Sequence, residues 1–445
     1  MKKILTIAGS DSGGGAGIQA DLKTITALGG YGMSVITAIT AQNTTGVKAI
    51  YMIPPELIIK QIDSIFEDFG ADAVKTGMLF SKEVVNIVAE KMRRYRVTNL
   101  VIDPVMIAKS GDYLLDKEGR IALRKKLIPL AFLITPNLYE ASELSGKRVD
   151  SVKKMKESAK KILEMGARNV LIKGGHLKGD AIDIFYDGED FYELREKRIN
   201  SRHTHGVGCT LSAAIATFLA KGCNLKNSVE NAKKYVTNAI KCAYSIGRGI
   251  SPVNHLAPVT DSFKKLNVLN EVKKAVELLK KENISRLIPE VGSNIGYCPE
   301  SPKSLKDVAA VPGRILRVNN NVTTVAEPEF GASSHVGKIV LTLNKFDEDV
   351  KSAMNIRFSE EILKTCKNLG LEIAEFSRNR EPGKVKTKEG ATLIWGIEEV
   401  LKRRKSVPDI IFDRGDFGKE AMIRVTGKNP FEVANKVIMI NRGLK

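Results

Sequence analysis

Cysteine is scarce in this chain. Its 445 residues include five cysteines, an odd number, spread between Cys209 and Cys366. No two of them have the close spacing of a zinc site, and they do not form the dense framework of a small secreted domain. This usage argues against a disulfide scaffold and predicts a reduced, cytoplasmic protein.

Long apolar runs are also missing. No run approaches the roughly 20 consecutive apolar residues that a membrane-spanning helix requires. The N-terminal run from Ile4 to Ala8 is too short for a signal peptide and stops at Gly9. We therefore expect no membrane association, and the length of the chain predicts a globular protein of two or three domains.

Acidic and aromatic residues are few. Lys and Arg number 70 against 51 Asp and Glu, and aromatic residues make up 6% of the chain. A basic surface attracts phosphate, so a nucleic acid is a partner to consider. However, the basic residues form no single arm, and few aromatic residues lie between them. We expect a lysine-rich solvated surface and no nucleic-acid partner, with phosphorylated small substrates accounting for part of the surplus.

From Ile4 to about Asp261, short apolar runs alternate with amphipathic stretches. The predicted strands are Ile4–Ala8, Ser34–Thr40, Ala73–Thr76, Leu100–Ile102, Phe132–Thr135 and Val170–Lys173. The predicted helices lie near residues 17–28, 55–68, 82–94, 117–128, 151–165, 208–220 and 225–246. This order predicts a doubly wound α/β layer sandwich with a mostly parallel sheet, whose ligands bind beyond the C-terminal ends of the strands.

The most informative stretch runs from Arg202 to Ala214. Its small residues lead into an apolar helical pattern, so Gly206 to Cys209 should form the first turn of a helix. The free amides and the helix dipole of such a turn bind anions. A thiol there should have a lowered pKa, which would suit Cys209 to remove a proton or to attack a substrate. A glycine-rich turn with a buried cysteine is the alternative.

Several predicted strands end in polar or flexible residues. Gln42 can donate and accept hydrogen bonds at once, as an aminopyrimidine edge requires. Met78 offers a flexible apolar side chain to a flat ring, or it is ordinary core. Asp21 would lie on the helix after a glycine-rich loop at residues 9–17, where an exposed acid is equally expected.

Charged residues follow three further strands. Asp103 offers a carboxylate to a metal. Asn137 and Glu140 lie three residues apart, so both could face a hydrated Mg²⁺, or either could cap a helix. Lys173 ends a strand that should be buried, where an unpaired ammonium would be costly and a phosphate is a reasonable partner.

These motifs, in this order, resemble the hydroxymethylpyrimidine/phosphomethylpyrimidine kinases of thiamine synthesis over residues 1 to about 260. The stretches that carry the resemblance are residues 8–11, 19–24, 42–44, 103–105, 135–140, 173–176 and 205–209. The resemblance implies a ribokinase-like fold that phosphorylates the pyrimidine alcohol and then its monophosphate with MgATP.

The resemblance also implies roles for individual residues. Gln42 would read the pyrimidine, Met78 and Val105 would contact it, Asp21 would help to close the pocket, Lys173, Gly206 and Gly208 would bind phosphate, Cys209 would be the base, and Asp103 and Glu140 would hold Mg²⁺. Val207 departs from the threonine common in the family but keeps its backbone amide. The wider superfamily often has aspartate at the position of Cys209, which leaves a pyridoxal-type kinase as an alternative.

The composition changes in the second half. Residues 262–283 predict a lysine-rich connecting helix, and residues 284–445 a second, smaller α/β domain. Its predicted strands are Ile315–Val318, Ile339–Leu343 and Met422–Val425. Its predicted helices lie near residues 347–369, 391–405 and 430–441.

Glycines beside Arg, His and Lys are typical of a pyrophosphate pocket, and they cluster at residues 313–317, 330–338, 378–382 and 412–420. These clusters resemble the thiamine-phosphate synthase domain fused behind such kinases, over about residues 285–442. The resemblance implies condensation of the pyrimidine diphosphate with thiazole phosphate and release of pyrophosphate. We expect Arg314 to clamp the diphosphate.

His335 should donate a hydrogen bond or shuttle a proton. Asp413 and Asp416 could hold Mg²⁺ or cap the turn at Gly415. A ligand-sensing domain is the alternative for this half, since similar domains occur in regulators. A homodimer is an expectation from the kinase family.

Overall fold

The protein consists of two compact units. The computed structural model describes residues 1–107, 114–378, 381–382, 391–416 and 419–444. One unit spans Met1–Thr260 and the other Asp261–Lys445. None of the described helices combines the length and apolarity needed to cross a bilayer.

The first unit alternates strands with helices. Its strands are β1 Lys3–Asp11, β2 Tyr31–Asn43, β3 Gly46–Met52, β4 Ala73–Thr76, β5 Leu100–Ile102, β6 Leu133–Ile134, β7 Val170–Ile172, β8 Ala181–Tyr186 and β9 Phe191–Glu196. Its helices are α1 Gly17–Ala27, α2 Pro55–Asp68, α3 Lys82–Arg94, α4 Lys117–Ala122, α5 Leu138–Ser145, α6 Val152–Leu163, α7 Val207–Ala220 and α8 Leu225–Lys241. A π-helical turn at Leu123–Leu127 and a 3₁₀ turn at Ile128–Leu130 follow α4.

The nine strands form one sheet in the order β3-β2-β1-β4-β5-β6-β7-β8-β9. Neighbours from β2 to β7 are parallel, whereas β3, β8 and β9 join antiparallel at the two edges. The parallel strands therefore direct their C-terminal ends, and the predicted polar residues, to one edge of the sheet.

Successive residues of the central strands point to opposite faces, and each face is covered by helices. Ile4, for example, belongs to the core beneath α7 and α8, whereas Leu5 belongs to the core beneath α2, α3 and α6. Both side chains are fully buried. This two-sided burial confirms the predicted doubly wound sandwich.

The second unit begins with a long helix and contains a second sheet. Its helices are α9 Ala257–Lys281, α10 Ser334–Phe346, α11 Glu360–Asn368, α12 Ala391–Leu401 and α13 Pro430–Gly443. Its strands are β10 Ile295–Tyr297, β11 Ala309–Ala310, β12 Ile315–Val318, β13 Asn321–Thr324, β14 Glu329–Phe330, β15 Ser352–Arg357, β16 Ile373–Glu375, β17 Ile410–Asp413 and β18 Met422–Gly427. Single 3₁₀ turns lie at Ser285–Leu287 and Leu305–Asp307.

The second sheet has the order β14-β11-β10-β15-β18-β17-β16, and β12 and β13 form a separate hairpin. Only the β16–β17 pair among the described pairs of this sheet is parallel. Helices cover both faces, with α9, α11 and α13 over one core and α10 and α12 over the other.

Two sequence predictions for this unit are wrong. Ile339–Leu343 is not a strand but part of α10. The buried positions Val336, Ile339, Val340 and Leu343 have helical spacing, which the β-branched run obscured. The stretch 347–369 is not one helix, because β15 occupies its middle and α11 its end.

Helix α9 contributes to the core of the second unit. Val272, Ala275, Val276 and Leu279 are buried there beside Met354 of β15 and its neighbours. The stretch predicted as a connecting helix therefore supplies a wall of the second core.

Replacing Leu279 by alanine should destabilise the second unit. Removing a buried leucine typically costs about 2–5 kcal/mol of unfolding free energy, because the cavity it leaves relaxes only in part. Amide hydrogen exchange should accelerate in β15 and β18 but not in β1 or β4. Leu266→Ala, on an exposed position of the same helix, is the control and should change exchange little; equal effects of the two variants would contradict this account.

Candidate functional site

A cavity of about 740 Å³ opens at the C-terminal ends of the parallel strands. All but one of the residues predicted for the first site line it, namely Gln42, Met78, Asp103, Val105, Glu140, Lys173, Gly206, Gly208 and Cys209. The topology thus brings together residues that are up to 167 positions apart in the chain, because each follows a strand or begins a helix at the same sheet edge.

Asp21 is the exception. Its side chain is 0% exposed, and Oδ2 accepts hydrogen bonds from Thr6 Oγ1 at 2.6 Å and from Lys75 Nζ at 2.7 Å. Asp21 therefore lies behind the cavity wall and bonds Lys75, which lines the cavity, and its part in closing the pocket stays a prediction.

Lys75 is a wall residue that the sequence analysis missed. It lies inside β4, lines the cavity and is fully buried. Burial alone would lower the pKa of Lys75, but the carboxylate of Asp21 raises it above its ordinary value, so the side chain stays charged. A lysine within a buried four-residue strand was the available signal.

Buried Asp103 and partly buried Lys173 form a second pair. Lys173 Nζ donates to Asp103 Oδ1 at 2.7 Å, and Ser212 Oγ donates to Asp103 Oδ2 at 3.5 Å. A Cβ at Gly208 would lie 3.3 Å from Lys173 Nζ and 3.4 Å from Asp103 Oδ2. The pair therefore faces the first turn of α7, and Asp103 supplies the counter-charge that Lys173 requires.

Glu140 closes the first turn of α5. Asn137 Oδ1 accepts from the amide of Glu140 at 3.0 Å, and Glu140 Oε2 accepts from the amide of Asn137 at 2.7 Å. This capping box accounts for both residues. Burial, opposed by Lys173 and reinforced by Asp103, raises the pKa of Glu140 to about 7.

The predicted anion-binding turn begins α7. Gly206 is the N-cap with φ of 79°, and α7 starts at Val207. A Cβ on Gly206 would lie 1.8 Å from the carbonyl oxygen of Gly15. Only glycine allows the loop after β1 to approach the helix this closely.

Cys209 has the expected place but not the expected acidity. Burial raises the pKa of its thiol to about 11, with Asp21 and Asp103 adding to the rise and Lys75 opposing it. The prediction of a lowered pKa is wrong, because burial of the thiol disfavours the thiolate and the carboxylates of Asp21 and Asp103 add to that effect.

Asp11 and His205 join the same loop to α7. His205 Nε2 lies 3.0 Å from Asp11 Oδ2 and 3.2 Å from Gln42 Nε2. Asp11 also accepts from the amides of Gly13, Gly15 and Ala16. Burial alone would raise the pKa of Asp11, but the bonds from His205, Gly13 and Ala16 lower it. His205 is thus a link between the loop and Gln42.

The carboxylates of this cavity suit a magnesium ion whose remaining ligands are waters and substrate phosphates. Asp103 and Glu140 are two buried carboxylates beside one lysine, and within the described part of the chain no cluster of three or more acidic, histidine or cysteine residues could hold a metal. Mg²⁺ keeps several waters and binds through one or two carboxylates plus substrate phosphates. The donor set fits that mode.

The second unit contains a buried charged triad. Asp413 Oδ1 accepts from Arg378 Nε at 2.5 Å, and its Oδ2 lies 2.8 Å from Arg424 Nη2. Asp413 Oδ1 also accepts from the amide of Gly415 at 2.9 Å. Asp413 therefore caps the turn at Gly415, as the alternative prediction had it. Its carboxylate also neutralises part of the charge of Arg378 and Arg424.

Three arginines surround His335. The imidazole lies at the start of α10 and is accessible to solvent. Desolvation by the surrounding protein, together with the charges of Arg424, Arg314 and Arg378, lowers its pKa to about 4. His335 is therefore neutral near pH 7. Three guanidiniums carry more charge than the single carboxylate of Asp413 offsets, and such a surplus suits a polyanionic ligand.

Arg314 has a strained backbone. Its φ is 73°, a left-handed conformation that costs a non-glycine residue on the order of 1–3 kcal/mol. The preceding Gly313 is also left-handed, with φ of 70°. Such strain persists where neighbouring structure enforces it and is frequent at functional sites.

Comparisons with known proteins agree with both halves. Residues 11–254 match the phosphomethylpyrimidine kinase family, and residues 271–439 match the thiamine-phosphate synthase ThiN family. The bifunctional thiamine biosynthesis protein ThiDN of Methanocaldococcus jannaschii is 34% identical over 99% of this chain and 98% of its own length. The chain belongs to this bifunctional kinase–synthase family. It is an enzyme of thiamine biosynthesis, and the alternative of a kinase with a sensing domain is disfavoured.

Other relatives share the kinase half alone. The thiamine biosynthesis bifunctional protein ThiED of Geobacter sulfurreducens is 51% identical over 58% of this chain. The match covers only 53% of the length of that relative. An ADP complex of Bacillus subtilis pyridoxal kinase has a TM-score of 0.56 and 43% identity, covering 58% of this chain and 99% of its own. This likeness confirms the ribokinase-like fold of the first unit.

Alkylation should distinguish Cys209 from an activated thiol. With a pKa of about 11, the Cys209 thiol is protonated at pH 8 and should react slowly with iodoacetamide. Exposed Cys242 should be labelled first, as measured by peptide mass mapping over time. Faster labelling of Cys209 than of Cys242 would contradict the raised pKa.

Proposed function

We propose that the first unit phosphorylates hydroxymethylpyrimidine, and then its monophosphate, with ATP in the 740 Å³ cavity. The observation that carries this proposal is the convergence of Gln42, the Asp103–Lys173 pair and the first turn of α7 on one cavity. Gln42 reads the pyrimidine edge through its amide, while Met78 and Val105 contact the ring.

The chemistry requires positioning and charge neutralisation. The substrate hydroxyl attacks the terminal phosphoryl group of ATP, the bond to the leaving diphosphate breaks, and the hydroxyl proton must be removed. The amides from Gly206 to Cys209 and the ammonium of Lys173 neutralise charge on the phosphoryl oxygens. Mg²⁺ held by Asp103 and Glu140 would supply further neutralisation when bound.

Cys209 stays our predicted base, although its thiol is protonated at neutral pH. Lys75 lies near enough to favour the thiolate, since each group shifts the pKa of the other in that direction. The assignment therefore requires that the minor thiolate form of Cys209, favoured by Lys75, accept the hydroxyl proton as phosphoryl transfer makes that hydroxyl acidic.

We propose that the second unit joins the pyrimidine diphosphate to thiazole phosphate. The bond between the pyrimidine methylene carbon and the diphosphate oxygen breaks with its electron pair on pyrophosphate, and the thiazole nitrogen forms the new bond to that carbon. Arg314 clamps the departing diphosphate, and neutral His335 donates a hydrogen bond to it. The surplus of guanidinium charge near His335 supports this role.

We further propose that this chain binds small-molecule substrates and forms a homodimer. As expected from the sequence, we propose no nucleic-acid partner. Cytoplasmic location is proposed because the five cysteines are free and the kinase uses ATP.

One reaction would test both activities. Purified chain is mixed with MgATP, hydroxymethylpyrimidine and thiazole phosphate, and the products are measured by mass. We expect thiamine phosphate from the unmodified chain. Arg314→Ala should lower its formation by about 100-fold or more while the diphosphate accumulates, because a charged hydrogen-bond donor is lost at the leaving group.

Two outcomes would contradict this assignment. Diphosphate without thiamine phosphate from the unmodified chain would leave the second unit as a sensing domain. Phosphorylation of pyridoxal but not of the pyrimidine would favour the pyridoxal kinase alternative, which the likeness to Bacillus subtilis pyridoxal kinase keeps worth testing.

Asp103→Asn should reduce kinase turnover by about 100-fold or more, since it removes the carboxylate facing the phosphate turn. The matched control is Asp63→Asn, which breaks a similar pair with Lys91 at 2.6 Å outside the residues that line the cavity. Turnover and its Mg²⁺ dependence are measured for both. Equal losses would assign Asp103 a structural role only.

A further inference from the structure

The strained turn that carries Arg314 is held by residues 291–294. Ser293 exchanges two backbone hydrogen bonds with Ile315, at 2.9 and 2.7 Å. Arg314 Nη1 also donates to the carbonyl oxygen of Val291. One short segment therefore fixes both the chain after Arg314 and the guanidinium itself.

The chain before Arg314 is fixed by the side chain of Asn294. Asn294 Oδ1 accepts from the amide of Val311 at 3.0 Å, and Asn294 Nδ2 donates to the carbonyl oxygen of the same residue at 2.8 Å. The amide of Arg314 donates to that carbonyl oxygen as well, at 3.3 Å. The carboxamide thus replaces a strand neighbour for Val311, the residue where the turn begins.

Asn294 is itself held rigidly. Asn355 Oδ1 accepts from the amide of Asn294 at 2.7 Å, and Asn355 Nδ2 donates to the carbonyl oxygen of Gly292 at 3.1 Å. Both asparagines are 4% exposed. Because buried polar groups without partners are costly, this network tolerates few other geometries.

We propose that Asn294 is a positioning residue of the synthase: it imposes the left-handed turn that directs Arg314 to the diphosphate. Asparagine suits the role because its side chain both donates and accepts, matching the backbone N–H and C=O of one residue, Val311. Aspartate would keep the acceptor but lose the donor, and alanine would lose both. The proposal rests on the proposed synthase activity of the second unit.

The experiment compares Asn294→Ala with Asn344→Ala in the full-length chain. Asn344 is also buried and lies in the last turn of α10. It donates to the carbonyl oxygens of Glu348 and Val350, beyond the helix, at 3.0 and 3.3 Å. Asn294→Ala should lower the synthase kcat/KM by about 10- to 100-fold, mainly through KM for the pyrimidine diphosphate. Asn344→Ala should stay within about threefold, since it loses a comparable bond away from Arg314. Kinase activity and the melting temperature of each variant report folding.

A double variant tests whether Asn294 acts through Arg314. In the Arg314→Ala background, Asn294→Ala should cause little further loss, because its effect has already been removed. Losses that multiply would overturn the proposal, and so would equal synthase losses in Asn294→Ala and Asn344→Ala.

Binding of inorganic pyrophosphate, measured by calorimetry, separates this proposal from the proposed function. Pyrophosphate should bind the unmodified chain and bind both Arg314→Ala and Asn294→Ala more weakly. Normal binding to Asn294→Ala but not to Arg314→Ala would overturn the positioning role alone. An unmodified chain that neither binds pyrophosphate nor forms thiamine phosphate would overturn the proposed function, and the positioning role with it.

Discussion

The first site depends on two lysine–aspartate pairs, one fully buried and one partly buried. Lys75 pairs with Asp21 and Lys173 with Asp103, each at 2.7 Å. Neither ammonium could remain charged in this interior without its carboxylate, because desolvation would be uncompensated. The pairs place positive charge beside the turn of α7 while leaving the wall nearly neutral. Glu140 then adds acidic character, so a cation and a polyphosphate can enter together.

The second site solves a related problem with a different balance of charge. Asp413 pairs with Arg378 and Arg424, and these two arginines together with Arg314 lower the pKa of His335. The three guanidiniums and the one carboxylate therefore carry a net positive charge before any ligand binds. A pocket that receives a diphosphate and releases it as pyrophosphate gains from such permanent charge, whereas in the proposed kinase reaction a bound Mg²⁺ would supply the corresponding charge.

Sequence reasoning recovered what depends on local pattern and on resemblance. The apolar runs at Ile4 and Val170 located strands, and the glycines at Gly206 and Gly208 located the first turn of α7. It could not locate Lys75 as a wall residue or Asp21 behind it, because their pairing joins residues 54 positions apart. The sequence also predicted a lowered pKa for the Cys209 thiol, which is wrong. That pKa depends on burial and on carboxylates contributed by other elements.

The two units differ in what their sequences must preserve. In the kinase, a close approach of two backbone segments shapes the site: Gly206 can approach the carbonyl oxygen of Gly15 because Gly206 carries no Cβ. In the synthase, a side chain substitutes for missing backbone pairing, since Asn294 satisfies both peptide groups of Val311. A glycine motif can be recognised in a sequence. An asparagine whose side chain replaces the hydrogen bonds of a neighbouring strand cannot be distinguished there from an ordinary loop residue. The second site is therefore harder to find from sequence, although its geometry is as closely determined.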